Sequence, residues 1–264
     1  MRAAAPRFRV SHMMALLVCA LASGGTLAAA QPADQPQSPV RMPAPDFLLK
    51  RPIGSIGVRG NWVFARAGSD LFDFLHEQLT IDKRDFRGPA VAADLAFAIT
   101  PRIDAVFGLE FARASVRSQY RDLVDDHLLP IEQTTALSTV HLIAGVRHAF
   151  LPPGYSVSRL AWVPRRVVPY AGAGVGAVRH KLTQTGDFVD YADQSVFSDN
   201  FRSEGWARSA HAFGGVQLHV HRRLFATLES RYVWADAPLD PSFEDFEPMD
   251  LAGIRMSAGV NFVF

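Results

Sequence analysis

The stretch that decides the fold is AGIRMSAGVNFVF, residues 252–264, in which apolar residues alternate with small or polar ones. Counting back in twos from the last residue collects one apolar face: Phe264, Phe262, Val260, Ala258, Met256, Ile254 and Ala252. A period of two is typical of a β-strand, because successive side chains point to opposite faces of the sheet. These residues therefore predict a strand with one apolar face and one mostly polar or small face.

The same alternation recurs upstream and predicts seven further strands, each close to the length of about 9–11 residues that a tilted membrane strand requires. Their ranges are 55–64, 91–100, 103–112, 137–148, 168–179, 206–220 and 224–234. The facing of the fifth strand is ambiguous, because Gly172, Gly174 and Gly176 alternate with small apolar residues. We place these glycines inside, where they leave room for long side chains from neighbouring strands.

The connections between the predicted strands alternate between long and short. The long polar ones are residues 65–90, 113–136, 180–205 and 235–250. Residues 100–102 and 221–223 are tight turns, and residues 149–167 form an intermediate connection that contains a Pro-Pro-Gly sequence. Transmembrane barrels have long loops outside and short turns in the periplasm. We therefore predict an all-β fold, an eight-stranded antiparallel up-and-down transmembrane β-barrel over residues 53–264.

The first 30 residues have the pattern of a secretory signal peptide. Arg2, Arg7 and Arg9 precede an apolar stretch at residues 13–22, and Ala28-Ala29-Ala30 provides a small-residue cleavage site. The apolar stretch is shorter than the roughly 20 residues that a membrane-spanning helix needs. An uncleaved N-terminal anchor remains the alternative. Residues 31–52, rich in proline and glutamine, are predicted to form a flexible periplasmic linker.

The charge of the chain argues against nucleic acid as a partner. There are 27 basic and 26 acidic residues in the whole chain. Cleavage near Ala30 removes three arginines and no acidic residue, which leaves 24 basic and 26 acidic residues. Such a balance provides no attraction for a polyanion. The same cleavage removes Cys19, the one cysteine, and with it any disulfide chemistry.

Alternation alone does not say which face of the barrel meets lipid. A soluble barrel of the lipocalin type would turn its apolar face inward around a ligand. The terminal phenylalanine, the loop asymmetry and the aromatic residues near the strand ends favour a membrane barrel. The aromatics expected at the outer ends are Trp62, Phe64, Phe111, Trp206, Tyr232 and Trp234, and those at the inner ends are Phe97, Tyr170, Phe262 and Phe264.

In a membrane barrel the charged face of each strand encloses the lumen. Eight strands leave an interior just wide enough for side chains, and an unpaired charge in such a space is costly. The acids and bases are therefore expected to pair in one structural network that fills the lumen. Its expected members are Arg59, Asp94, Glu110, Glu229, Arg231 and Arg255.

The histidines do not point to catalysis. Lipid A deacylases carry a His-x-Ser pair with an acid partner. Three histidines on predicted strands lack that pair: His141, His148 and His211. His127 lies near Asp125 and Asp126 in a polar loop, and His219 and His221 have a metal-ligand spacing at a turn that we expect to be solvated. We therefore expect no catalytic residue, no metal and no cofactor.

Two of the long connections contain apolar residues that suggest a role. Residues 69–79 place Leu71, Phe74, Leu75 and Leu79 at helical spacing, with Ser69 or Asp70 as a cap. Such a helix would lie on the barrel rim or outer leaflet, or pack beneath the other loops. The third long loop carries a group of aromatics that would form a binding surface or pack on one another: Phe188, Tyr191, Phe197 and Phe201.

Over residues 54–264 the chain resembles the small eight-stranded outer-membrane barrels of the OmpA-transmembrane, OmpX and OmpW type. In such proteins a terminal aromatic and alternating apolar residues, here Phe264, Phe262 and Val260, mark the chain for the barrel-assembly machinery. The resemblance implies a bacterial outer-membrane location and contact with its lipid and lipopolysaccharide.

Fold alone does not fix function. The first hypothesis is a non-enzymatic envelope protein with a filled lumen, whose long outer loops serve envelope structure or surface interaction. A narrow transport or hydrophobic-ligand barrel is the second hypothesis, as the OmpW resemblance implies. An outer-membrane lipid-modifying enzyme is the third.

Overall fold

The computed structural model describes residues 47–125, 127–243 and 245–264. The expected signal peptide, residues 1–30, and linker residues 31–46 lie outside these ranges. In chain order the strands are β1 (Gly54–Ala65), β2 (Gly88–Ala98), β3 (Ile103–Val124), β4 (Pro130–Ala149), β5 (Gly154–Ser158), β6 (Ala161–Pro164), β7 (Val167–Val189), β8 (Val196–His221), β9 (Leu224–Ala237), β10 (Met249–Asp250) and β11 (Gly253–Val263). Helix α1 spans Asp70–Gln78, and 3₁₀ turns span Lys83–Phe86 and Pro241–Phe243.

Eight strands close into a ring of antiparallel pairs in the order β1-β2-β3-β4-β7-β8-β9-β11, with β11 returning to β1. The predicted eight-stranded barrel is therefore confirmed. A circuit of cross-strand partners that starts at Gly54 returns to β1 at Phe64, ten residues further along. With eight strands this stagger corresponds to a tilt of about 40° and a lumen that side chains can fill.

The apolar face of the wall points outward and the charged face points inward. Val58 and Val91 are 67% and 64% exposed, whereas Glu110 and Arg255 are 2% and 4% exposed. A water-soluble barrel would bury its aliphatic residues, so the lipocalin-like alternative is excluded. The outward aromatics lie at the two ends of the strands as expected, with the exception of Tyr170, whose side chain is buried in the lumen.

The glycines of the fifth wall strand, β7, face the lumen as we expected. A Cβ at Gly172 would collide with the ring of Phe213, and one at Gly176 would approach the hydroxyl of Ser209 to 3.0 Å. The absence of side chains therefore admits larger groups from β8. Tyr170 has the same inward parity as these glycines, which explains why it does not belong to the inner aromatic girdle.

The prediction of a long loop is wrong for two of the four long connections, because the flanking strands continue through most of their residues. Residues 113–136 are mostly the outer halves of β3 and β4 around a short turn, and residues 180–205 are mostly the outer halves of β7 and β8. These strands have 22, 20, 23 and 26 residues. Beyond the bilayer the outward face no longer needs apolar residues, so the alternation that marks a membrane strand is lost while the hydrogen bonding continues.

Helix α1 packs beneath the neighbouring loops and closes one mouth of the barrel, which we take as the extracellular one because transmembrane barrels have their long connections outside. Leu71, Phe72 and Leu75 are buried in an apolar cluster with side chains of β7 and β9, including Leu182 and Val233. Of the two positions we considered for this helix, the structure therefore selects packing under the loops. Ser69 is at the N-cap but makes no side-chain capping hydrogen bond. No helix in the described ranges has the length and apolarity to cross a bilayer.

The periplasmic mouth is covered by a hairpin that the sequence did not predict. In the connection at residues 149–167, β5 pairs with β6, and Leu48 pairs with Trp162 through two backbone hydrogen bonds of 2.8 Å. Trp162 is buried against the inner end of the lumen. Residues 47–52, the end of the predicted flexible linker, therefore contact the barrel, and Arg51 also donates to the carbonyl of Thr100 at 2.6 Å.

Candidate functional site

The centre of the lumen is organised around the carboxylate of Glu229, on β9. Glu229 accepts hydrogen bonds from Arg59, from Arg231 at 2.8 Å and from the Tyr170 hydroxyl at 2.9 Å. Arg59 also donates to Asp94 at 2.7 Å. These residues come from β1, β2, β7 and β9, so the cluster joins opposite sides of the barrel wall. We call it the Glu229 cluster.

A second buried cluster lies nearer the extracellular end, around Glu110 of β3. Glu110 accepts from Asn61 at 2.5 Å and from Arg255 Nε at 2.7 Å. The other end of the Arg255 guanidinium is 3.0 Å from His141 Nε2. This Glu110 cluster links β1, β3, β4 and β11. All six charged residues singled out from the sequence thus lie in the lumen, but in two groups rather than one.

A third charged group in the lumen, the ion pair of Arg147 with Asp104, was missed among the sequence candidates. Arg147 donates twice to one carboxylate oxygen of Asp104, at 2.7 and 3.1 Å. Its guanidinium also lies 5.3 Å from the centre of the Tyr170 ring. Both residues lie on the inward faces that the alternation predicts for adjacent strands. The register between those strands, which the sequence did not give, decides that the two side chains meet.

The three groups leave little free space inside the barrel. The cavity beside the Glu229 cluster has a volume of about 30 Å³, the one beneath α1 about 50 Å³ and the one beside Trp162 about 70 Å³. A water molecule occupies roughly 30 Å³, so each cavity has room for one or two waters. Helix α1 above and Trp162 below close the two ends. Among the described residues, side chains therefore occupy most of the lumen.

The lumen also contains a Ser-His contact whose order along the chain differs from the His-x-Ser pattern. Ser209 Oγ lies 2.9 Å from His211 Nε2, in the reverse order Ser-x-His. Among the described residues no acid binds His211 Nδ1, and the pair is buried. A nucleophilic serine requires an oriented base and access to substrate. Within the same residues, no three potential metal-ligating side chains meet.

Above the membrane, β3, β4, β7 and β8 continue as a four-stranded sheet, which we call the extracellular wall (residues 113–124, 130–138, 179–189 and 196–208). Its pairing reaches Gln119–Glu132, Gln133–Gly186 and Val189–Val196. Thr80 covers the β3 edge by donating its backbone N–H to Gln119 at 2.9 Å. On the opposite edge, residues 196–202 of β8 pair with β7 on one side and have no partner strand on the other side in the described part of the chain.

The aromatics of the third loop both pack on one another and line a groove. Phe188 contacts Phe201 edge-to-face, with ring centres 4.7 Å apart, and lies 6.0 Å from Phe197. Tyr191 lies beside them, and its hydroxyl donates to Gln78 of α1 at 3.2 Å. The groove has a volume of about 200 Å³. The aromatics therefore pack on one another, and their use as a binding surface stays a prediction.

One buried histidine lies above the membrane, at the base of the extracellular wall. His180 of β7 has no exposed surface. Burial lowers the pKa of His180, and the nearby Asp240 carboxylate opposes part of that shift. The side chain is therefore best accommodated in its neutral form.

The expected assembly signal lies at the seam where the barrel closes. Phe264, Phe262 and Val260 all point outward and are exposed. The Phe264 backbone N–H donates to the Gly54 carbonyl at 3.0 Å, which joins the two ends of the barrel domain. The role of these residues in recognition by the assembly machinery stays a prediction.

The hydrogen-bonded ring, the outward apolar belt and the polar lumen define the fold of small eight-stranded outer-membrane barrels. Solved structures of that class match the chain at low sequence identity. Neisserial surface protein A is 12% identical, with 80% of this chain and 97% of that chain covered and a TM-score of 0.44. The outer-membrane protein OprG of Pseudomonas aeruginosa is 10% identical, with 82% and 99% covered and a TM-score of 0.46. No family profile and no curated protein sequence matches the chain.

Proposed function

We propose that the chain is a non-enzymatic outer-membrane protein that holds an extracellular β-sheet on a filled, non-conducting barrel for interaction at the cell surface. The observation that carries this proposal is the exposed edge of the extracellular wall at residues 196–202 of β8. An unpaired strand edge presents free backbone N–H and C=O groups, which can pair with an extended segment of another polypeptide.

The filled lumen supports a role at the surface rather than passage of solutes. The Glu229 cluster and the Glu110 cluster each tie several strands together, and their buried charges are paired. Opening a path would separate these pairs at a cost of several kcal/mol. We expect the protein reconstituted in planar bilayers to leave the conductance at its baseline. Discrete channel openings would contradict the non-conducting part of the proposal.

The exposed edge is tested by changing its surface without touching the barrel. Nanodisc-embedded protein is expected to capture reduced and alkylated serum albumin, an extended polypeptide, in preference to the folded form. Lysines blunt strand edges, so S198K/N200K should abolish the capture. The matched control is S115K/Q119K on β3, where Thr80 covers part of the edge. Equal capture by the wild type and S198K/N200K would refute the edge as the binding element.

A second candidate function is binding or passage of an apolar small molecule. The aromatic groove at Phe188, Phe197 and Phe201 favours it, because apolar ligands bind in concave sites lined by aromatic side chains. Naphthalene binding to the nanodisc-embedded protein that is lost in F188A/F201A, but kept in the lipid-facing control F111A, would establish this role. If the wild-type protein does not bind naphthalene, this second candidate function is excluded.

A lipid-modifying activity is a third possible function, and the Ser209–His211 contact is the observation that raises it. We infer that this contact is structural, because it faces the lumen and its histidine has no acid partner among the described residues. The mass spectrum of lipid A is therefore expected to stay the same when the protein is expressed. A new lipid A species that disappears in S209A would overturn the non-enzymatic proposal.

The proposed location also depends on export and assembly. We propose that the signal peptide is removed near Ala30 and that the mature chain begins at Gln31, as N-terminal sequencing of the protein from outer-membrane fractions would show. We further propose that removing Phe264 delays insertion by the barrel-assembly machinery, because this residue ends the outward apolar series. A normal rate of appearance of the folded gel band in that deletion would contradict the second point.

A further inference from the structure

An open groove of about 460 Å³ lies on the outer face of the barrel, at its extracellular end, between β9, β11 and β1. Three of its residues form one row across adjacent strands, because Phe64 pairs with Ile254 and Ile254 pairs with Tyr232. Met256 completes the apolar lining one row closer to the membrane centre, beside Trp62. The groove therefore lies in the outer aromatic girdle and faces lipid rather than the lumen.

Two arginines stand at the upper end of this groove. Arg66 follows Phe64 by two residues, so it shares its outward face and lies about 7 Å nearer the extracellular side. Arg87 precedes Gly88, whose partner on β1 is Val63, so it lies alongside Phe64. The two guanidinium groups and the apolar row thus form one continuous surface, with the charge above and the hydrocarbon below.

Neither guanidinium is strongly engaged by the protein. The Arg66 side chain is 66% exposed and its Nε lies 3.6 Å from Asp250. That carboxylate already accepts the backbone N–H groups of Gly68 at 3.0 Å and Ala252 at 2.8 Å. No carboxylate in the described ranges forms an ion pair with Arg87. Both arginines are therefore available for an external anion.

We propose that this groove binds a phosphorylated, acylated glycolipid of the outer leaflet, with an acyl chain along Phe64, Ile254 and Tyr232 and a phosphate between Arg66 and Arg87. The planar guanidinium is suited to bidentate recognition of phosphate, and the lipid-facing aliphatic and aromatic side chains accept a hydrocarbon chain. The groove is at the end of the barrel that carries the extracellular wall, which is the leaflet where glycolipid lies. The assignment rests on the proposed outer-membrane location.

Further outward arginines follow the same boundary around the barrel. Arg113 lies two residues beyond Phe111 on β3, and Arg179 and Arg208 occupy exposed positions on β7 and β8. These side chains form a cationic collar at the level where lipid headgroups lie, and basic residues near such a surface attract anionic lipids. The collar provides general attraction, and the groove below Arg66 and Arg87 adds a place for a particular lipid molecule.

The experiment is native mass spectrometry of the protein in detergent micelles, with bisphosphorylated lipid A and phosphatidylglycerol offered as separate probes. The wild type is expected to retain lipid A in preference to phosphatidylglycerol. R66Q/R87Q should retain about tenfold less lipid A, since two charge-assisted contacts are lost. The matched control R166Q/R222Q removes two exposed arginines from the periplasmic end and should retain as much as the wild type.

Three outcomes would overturn the site. They are unchanged retention by R66Q/R87Q, an equal loss in the R166Q/R222Q control, and equal retention of the two probes by the wild type. Each variant is first checked for the folded band on an unheated gel, which separates loss of binding from loss of fold. Failure of the proposed outer-membrane function would be seen differently, as a wild-type protein that stays soluble without detergent.

Discussion

Glu229 is the residue on which the centre of the barrel depends. It receives donors from Arg59, Arg231 and Tyr170, which belong to β1, β9 and β7. A buried carboxylate with so many donors is stabilised in its charged form, and the two guanidiniums around it rely on its charge in turn. Loss of the Glu229 charge therefore leaves two cations, Arg59 and Arg231, with Asp94 as the one carboxylate remaining in this cluster.

The first prediction concerns that charge. E229Q should lower the free energy of unfolding by about 3 kcal/mol, because removing one partner of a buried ion pair leaves uncompensated charge. Urea unfolding in lipid vesicles, followed by tryptophan fluorescence, measures the change, and the folded gel band should convert at a lower temperature. E77Q, on the exposed face of α1, is the control. An E229Q protein as stable as the wild type would show that the cluster contributes nothing.

The second prediction concerns His180. Burial holds its pKa in the folded protein below the unfolded value of about 6.5. As the pH falls below that value the unfolded chain takes up a proton first, so stability declines between about pH 7 and pH 5. Urea midpoints across this range should show a smaller decline in H180L than in the wild type. H221L, at an exposed turn, should retain the wild-type slope; an identical slope in H180L would contradict the prediction.

At the residue scale the sequence predicted which side chains face the lumen but not which of them meet. Alternation placed Arg255 and Glu110 on inward faces, and both are there. Their contact depends on the stagger between β3 and β11, two strands that are not adjacent in the sheet. Stagger is a property of the closed ring and leaves no local mark in the sequence. For the same reason the split into two clusters was not predicted, whereas the Arg147–Asp104 pair depends on the register between the adjacent strands β3 and β4.

At the scale of elements, the membrane portions of the strands were predictable and their extensions were not. In β8 the series Ala210, Ala212 and Val216 alternates with polar or small residues, because one side meets lipid. Above Trp206 the outward side meets water, so both faces become polar and the segment resembles a loop in composition. The hairpin of β5 and β6 was hidden by its Pro-Pro-Gly start, which is equally typical of a turn.

Helix α1 provides the third prediction. Leu75 is almost fully buried beneath the extracellular loops, so L75A should destabilise this cap locally by about 2–4 kcal/mol. The membrane-embedded ring does not depend on the helix and should keep its folded gel mobility. Trypsin cleavage after Lys83 or Arg84 is expected to accelerate. E77A, on the same helix, should be cut at the wild-type rate, and an unchanged rate in L75A would mean that the helix does not hold the cap.

At the scale of the whole molecule, the lumen is closed in several independent layers. Trp162 covers the inner end, the Glu229 and Glu110 clusters fill the middle, and α1 closes the outer end. The fourth prediction is that W162A, which removes one layer, leaves planar-bilayer conductance at baseline. Combining it with E229A and R59A, which empty the central layer, should raise the frequency of openings. Steady conductance from W162A alone would show that the hairpin is the only barrier.

The filled lumen also sets an order of events during biogenesis. The polar outer halves of β7 and β8 must reach the far side of the bilayer, yet a finished interior with cavities of about 30 and 50 Å³ cannot let a hairpin thread through it. Translocation of that hairpin must therefore precede the sealing of β1 against β11. We therefore expect the seam that includes the Gly54–Phe264 hydrogen bond to form last, and we expect a chain arrested before that step to display its outer hairpins already.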